Sequence, residues 1–128
     1  MRRLMIAVRV MAGVLLLAHG LVHLLYLAPD VREFSIDRSW LLTGPARRPV
    51  ALALMAATVA AFTVVALAVW GVPGLSGAWP ALTVVACVLS VALLVAFWDT
   101  VLVIGIVIDV ALVVIAVTRS EWADRLAG

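Results

Sequence analysis

Three side chains in this sequence are of a type and placement that could do chemistry within a membrane: His19, His23 and Asp109. Ionisable groups inside a bilayer are costly, so they mark the place to look for function. His19 and His23 are four residues apart and share one face of a first helix, with Gly20 thinning the helix between them. Asp109 falls at the centre of a fourth apolar stretch, with Gly105 one turn before it. At the helical rise, His19 lies about 5 Å from the midplane, His23 about 10 Å, and Asp109 near zero. If the first and fourth helices are neighbours, His19 and Asp109 can meet.

Three kinds of chemistry fit this set. One is a structural hydrogen bond between helices. The second is a proton or ion relay. The third is a metal or haem site, since two histidines at i, i+4 plus a carboxylate could supply three metal ligands. A bis-histidine haem would need a second subunit, because both rings project from the same helix face.

Other polar residues have simpler readings. Arg9 lies within two turns of the N-terminus and can snorkel to the headgroups. Asp99 sits at an expected turn and is placed to cap the fourth helix. Cys87, the single cysteine, reads as a small buried hydrophobe and allows neither a disulfide nor a Cys-based zinc site. No zinc-protease motif, nucleophile elbow, phosphate loop or dinucleotide fingerprint occurs. Ser76 and Ser90 have no base near them in sequence, so no hydrolase triad is expected.

The elements that must carry these residues follow from composition. Of 128 residues, 67% are hydrophobic and 12% charged, and the mean hydropathy is +1.29. A soluble domain of this size cannot bury so much apolar surface, and disordered chains are polar. The expected fold is all-α, a single membrane domain of four transmembrane helices in a bundle. Spans of about 20 residues are expected at 4–28, 50–72, 79–98 and 100–118, with a loop at 29–49. Met1-Arg2-Arg3 before an apolar run looks like a signal peptide. The run is too long and lacks a cleavage site, so a retained first helix is expected. Pro29-Asp30 should end that helix. Trp70, Trp79, Trp98 and Trp122 fall near expected span ends, as in an aromatic belt.

The third and fourth spans form nearly one apolar run, and Asp99-Thr100 is the polar break that calls for a turn. Small residues suggest packing faces: Ala53, Ala57 and Ala61 in the second span, Ala86 and Ser90 in the third, Gly13 and Gly20 in the first. The loop at 29–49 could lie on the membrane surface through Val31, Phe34, Ile36, Trp40 and Leu41, as a connector or as a lid.

All nine basic residues are arginine, and their scarcity excludes a nucleic-acid partner. Lysine's absence beside so much Ala, Val and Leu suggests a GC-rich bacterial genome. Five arginines on the terminal segments against four in the first loop favour cytoplasmic termini in the inner (plasma) membrane.

The pattern His19-Gly20-Leu21-Val22-His23, Ser39-Trp40-Leu41-Leu42, and Phe97-Trp98-Asp99 followed by Gly105 and Ile108-Asp109 resembles a group of uncharacterised small four-helix prokaryotic integral membrane proteins. More distantly, size and helix count are similar to DoxX-like membrane proteins, some linked to quinone-coupled sulfur oxidation. The resemblance implies the architecture and carries over no activity, cofactor or site residue.

The functional expectation is a small multi-pass inner-membrane protein, a non-enzymatic accessory or packing subunit, with the lipid bilayer and a homo-oligomer or larger membrane complex as partners. Two other readings stay open. One is a proton or ion relay, metal or quinone-linked redox protein using His19, His23 and Asp109. The other is a binder of lipid or another hydrophobic ligand.

Overall fold

The computed structural model describes residues 1–28 and 30–118. Among them the chain forms helices and turns and no strand. Helix α1 runs Arg2–Leu21, α2 Arg47–Val69, α3 Trp79–Ala96 and α4 Val103–Thr118. Short 3-10 turns extend them, notably Val22–Leu27 after α1 and Thr100–Leu102 before α4. With these turns, all four are long and apolar enough to cross a bilayer, so this is a multi-pass membrane protein built as a four-helix bundle. The expectations for Pro29, Arg119, Trp122 and Arg125 fall outside the described residues.

Helix ends follow from local chemistry. α2 begins at Arg47, three residues before the expected start, because Pro49 is tolerated in a first helical turn, where its missing N–H is no loss. It stops before Val72 because Gly71 adopts φ 87°, the left-handed conformation that terminates helices. The turn expected at Asp99 is present: the Asp99 carboxylate accepts from the Val101 N–H at 3.1 Å and caps the entry to α4.

The helices pack in chain order, α1 on α2, α2 on α3 and α3 on α4. α2 and α3 therefore form the middle of the bundle and contribute most of the buried residues. α1 buries only Gly13 and Gly20, and α4 only Asp109 and Ala116. Much of what α1 and α4 expose, such as Leu4, Leu15, Ile104 and Val107, is apolar surface suited to lipid.

The glycines of α1 are receiving positions for large residues of α2. Trp70 lies over Gly13 and donates from Nε1 to the Val10 carbonyl at 3.3 Å. Phe62 lies over Gly20. Ala86 and Ser90 are buried as expected, but Ala53 and Ala57 are exposed and Ala61 is only half-buried. The buried stripe of α2 is instead Ala51, Met55, Thr58, Phe62, Val65 and Val69. Its bulk fills space that the glycines of α1 leave open, so the small residues of α2 are not needed at that seam.

The first loop closes one end of the bundle. The last carbonyls of a helix lack partners within it, and at the end of α3 they are taken by three side chains. Trp40 Nε1 donates to Val95 O at 2.5 Å, Ser39 Oγ to Ala96 O at 2.5 Å, and Tyr26 Oη to Phe97 O at 3.2 Å. Ile36 is buried and Phe34 packs edge-on to Tyr26. These loop residues are used for packing on the bundle end, while Trp40 and Leu41 stay exposed.

Gly20→Ala tests the α1–α2 seam. Its Cβ would stand 2.6 Å from Phe62 Cβ, an atom that cannot move without its backbone. The expected cost is about 1–3 kcal/mol, read as a lower melting temperature in detergent. Gly77→Ala, which meets nothing within 4 Å, should leave the melting temperature unchanged.

Candidate functional site

α1 and α4 are the two outer helices of the packing order, and a hydrogen bond joins them across the open seam. His19 Nε2 lies 2.9 Å from Asp109 Oδ1. The expected meeting of His19 and Asp109 is therefore present. Asp109 is wholly buried, whereas the His19 side chain keeps 10% of its surface exposed.

The other carboxylate oxygen accepts from Ser90 Oγ at 2.5 Å. Ser90 Oγ is in turn 2.8 Å from His23 Nε2. The second ring nitrogen of His23, Nδ1, faces the carbonyls of His19 at 3.0 Å and Gly20 at 3.1 Å. The result is a continuous chain, His19–Asp109–Ser90–His23, spanning α1, α3 and α4. Phe62 of α2 forms its apolar floor, edge-on to His19 and stacked on His23. Each of the four helices thus contributes to the site.

Ser90 is the member that sequence reasoning missed. No base lies near it along the chain, yet the fold places it between an imidazole and a carboxylate. The signal was its four-residue spacing from Ala86, which marked it as facing another helix. The arrangement differs from a hydrolase triad, in which the histidine stands between serine and carboxylate. Here the serine is in the middle and wholly buried, so it has no access to a substrate.

His23 reaches Asp109 only through Ser90. Among the described residues no group of three His, Cys, Asp or Glu side chains is disposed to hold a metal ion. The three-ligand set His19, His23 and Asp109 is not assembled, because both nitrogens of His23 are already hydrogen-bonded. Cys87 is buried, is in no disulfide, and lines the same α3–α4 groove as Asp109, with which its thiol forms a side-chain hydrogen bond. Arg9 is half-buried and lies near Gly71, at the α2–α3 end of the bundle.

Proton counting limits the states of the chain. His23 Nδ1 faces only carbonyl acceptors, so it must carry a hydrogen. The two contacts on Ser90 Oγ need two hydrogens, and the hydroxyl supplies one. The other sits either on His23 Nε2 or on Asp109 Oδ2. The first state is an imidazolium with a carboxylate, the second a neutral imidazole with a carboxylic acid. They interconvert by one concerted shift: Ser90 passes its hydrogen to one neighbour and takes one from the other. The heavy atoms stay where they are, and every buried donor and acceptor along this segment keeps a partner in both states.

His19 connects this chain to a cavity. Its Nε2 faces Asp109, and its Nδ1 has no protein partner among the described residues. The ring lines a cleft of about 440 Å³ between α1 and α4, whose other walls include Leu15, Val22, Ile104, Gly105 and Ile108. Gly105 is tightly opposed to Leu94, since a Cβ there would stand 2.9 Å from Leu94 Cδ1.

Ser90→Ala would strip His23 Nε2 and Asp109 Oδ2 of their shared partner. A loss of about 1–2 kcal/mol is expected, measured as thermal stability in detergent. Thr63→Ala should be near neutral, because Thr63 only bonds the Val59 carbonyl of its own helix. The chain matches no protein-family model, no curated protein and no solved structure.

Proposed function

We propose that this protein takes a lipophilic ligand into the cleft between α1 and α4 and accepts a proton from its polar head through His19. The single observation that carries this reading is the position of His19. It joins a buried, proton-sharing chain on one side and an apolar cleft on the other. Apolar cavities with one or two convergent polar groups are what lipophilic ligands with a hydrogen-bonding head require. The cleft lies between two helices with extensive exposed apolar surface, so a ligand dissolved in the bilayer can enter sideways.

The proton balance is simple. A head-group O–H gives its proton to His19 Nδ1, and His19 gives its Nε2 proton to Asp109 Oδ1. Asp109 has room for it in the state in which His23 holds the extra hydrogen. Of the ligand classes expected from the sequence, a quinol supplies such a head, because its phenolic O–H is far more acidic than a lipid alcohol; the oxyanion it leaves is balanced by the imidazolium of His23. The reading as a packing subunit assigns the same chain a purely structural role and gives the cleft no ligand.

The supported location is the bacterial inner membrane with cytoplasmic termini, on the arginine balance of five against four. A reporter fused after Gly128 that fluoresces only in the cytoplasm checks that orientation; a dark fusion of full length reverses it.

Infrared difference spectra of the detergent-purified protein test the proton step. Adding a decyl-chain hydroquinone under nitrogen should produce a carboxylic-acid carbonyl band and lose a carboxylate band. Asp109→Asn should abolish the change and His19→Phe should reduce it at least tenfold. No binding of the hydroquinone, or the same spectral change in His19→Phe, would count against the proposal and favour a structural role for the chain.

A further inference from the structure

The first loop forms a second cavity, whose walls share Phe34 with the α1–α4 cleft but include none of His19, His23, Ser90 or Asp109. It encloses about 420 Å³ between the 3-10 turn that ends the first span and the loop that follows. Arg32, Arg38 and Arg48 line it, and among the described residues Asp37 supplies its one carboxylate. Leu27, on the same wall, is the last residue of the first span and is 54% exposed.

The state of the arginines is informative. Arg47, next to the cavity, is committed to the carbonyls of Leu42 and Asp37. Arg38 donates to the Arg32 carbonyl at 2.7 Å and stands 3.8 Å from Asp99 Oδ2. The guanidinium groups of Arg32 and Arg48 have neither a hydrogen bond nor an ion pair among the described residues. The loop contains Asp30, Glu33 and Asp37, yet none of these carboxylates is paired with either guanidinium. Arg48 also lies in the first turn of α2, which has no acidic residue and no side-chain cap, so the helix dipole adds to the positive field there.

We infer that this cavity holds the phosphate of an anionic membrane lipid between Arg32 and Arg48. Guanidinium groups match phosphate oxygens in a planar fork. The depth is right for a headgroup, because Leu27 closes the first span and Arg48 opens the second at the same end of the bundle. The chemistry is ordered correctly along the membrane normal. Charge lies above, and the exposed side chains of Leu24 and Leu27 lie below to meet the acyl chains. A bound lipid would tie the loop to the end of α1, which the loop otherwise meets through Phe34 on Tyr26. This inference is independent of the ligand proposed for the α1–α4 cleft.

Native mass spectrometry of the full chain in mild detergent, titrated with phosphatidylglycerol, measures the site directly. Basic residues at a membrane surface contribute about 1 kcal/mol each. Arg32→Gln or Arg48→Gln alone should therefore weaken the bound species roughly fivefold, and the double variant about 30-fold. Both side chains are exposed and unpaired, so an unchanged melting temperature is expected and is checked in the same samples. The double variant R2Q/R3Q removes equal charge at the opposite membrane face and should bind as the unaltered chain does. Phosphatidylcholine should bind weakly, and excess inorganic phosphate should not displace phosphatidylglycerol. Equal binding by R32Q/R48Q, or an equal loss in R2Q/R3Q, would overturn the site. Full displacement by inorganic phosphate would overturn the lipid assignment and make it a site for free phosphate.

Discussion

A carboxylate with no exposed surface, midway along a helix that is otherwise hydrocarbon, has to be given partners by other helices. Asp109 imposes that condition on the bundle. Its two oxygens take Ser90 of α3 and His19 of α1, and Ser90 in turn takes His23. Close packing runs in chain order, from α1 to α2, α2 to α3 and α3 to α4. The polar chain closes the circuit between the first and last helices. Hydrogen bonds of this kind contribute only modestly each inside a membrane. An unsatisfied partner in hydrocarbon is costly, however, so the chain specifies which helix faces meet.

Glycine allows that meeting. Gly20 lies between the two histidines and lets Phe62 come down onto α1, so the aromatic ring contacts both imidazoles from below. A bulkier residue would lift α1 away from α2 and carry the histidines with it. α1 tightens from α-helix to a 3-10 turn at Val22, where the His23 side chain donates to the carbonyls of His19 and Gly20. Side-chain competition for helical carbonyls is a recognised way to alter a turn locally. The altered turn then places Tyr26 against Phe97 and the loop over the end of α3.

The same economy applies at the bundle end. Carbonyls that end α3 near Phe97 need donors, and the loop supplies Trp40 and Ser39 while the end of the first span supplies Tyr26. This is why the loop is held close to the bundle, although it is too polar to enter hydrocarbon. Its buried Ile36 joins the core that Tyr26, Leu93 and Phe97 form, and its half-buried Phe34 packs against that core. The arginines that the loop does not use for its own carbonyls, Arg32 and Arg48, are left exposed at that end of the bundle.

Much of the architecture was legible in the residues themselves. Apolar runs of about 20 residues force helices because backbone polar groups cannot go unpaired in lipid. Pro49, Gly71 and Asp99 mark helix ends through chemistry that acts within a few residues. The histidine spacing and the depth of Asp109 were readable for the same reason, since both follow from helical rise. What a sequence alone leaves undetermined is rotation about each helix axis. In a bilayer every face of an apolar helix is tolerated, so hydropathy does not orient it. That is why Ala53 and Ala57 read as a packing face and yet point outward, and why Ser90 reads as a small residue and yet bridges His23 and Asp109. Spans, ends and depths are properties of one helix and its solvent. The joining of His19, Asp109, Ser90 and His23 is a property of how three helices turn toward one another, and only the tertiary structure decided it.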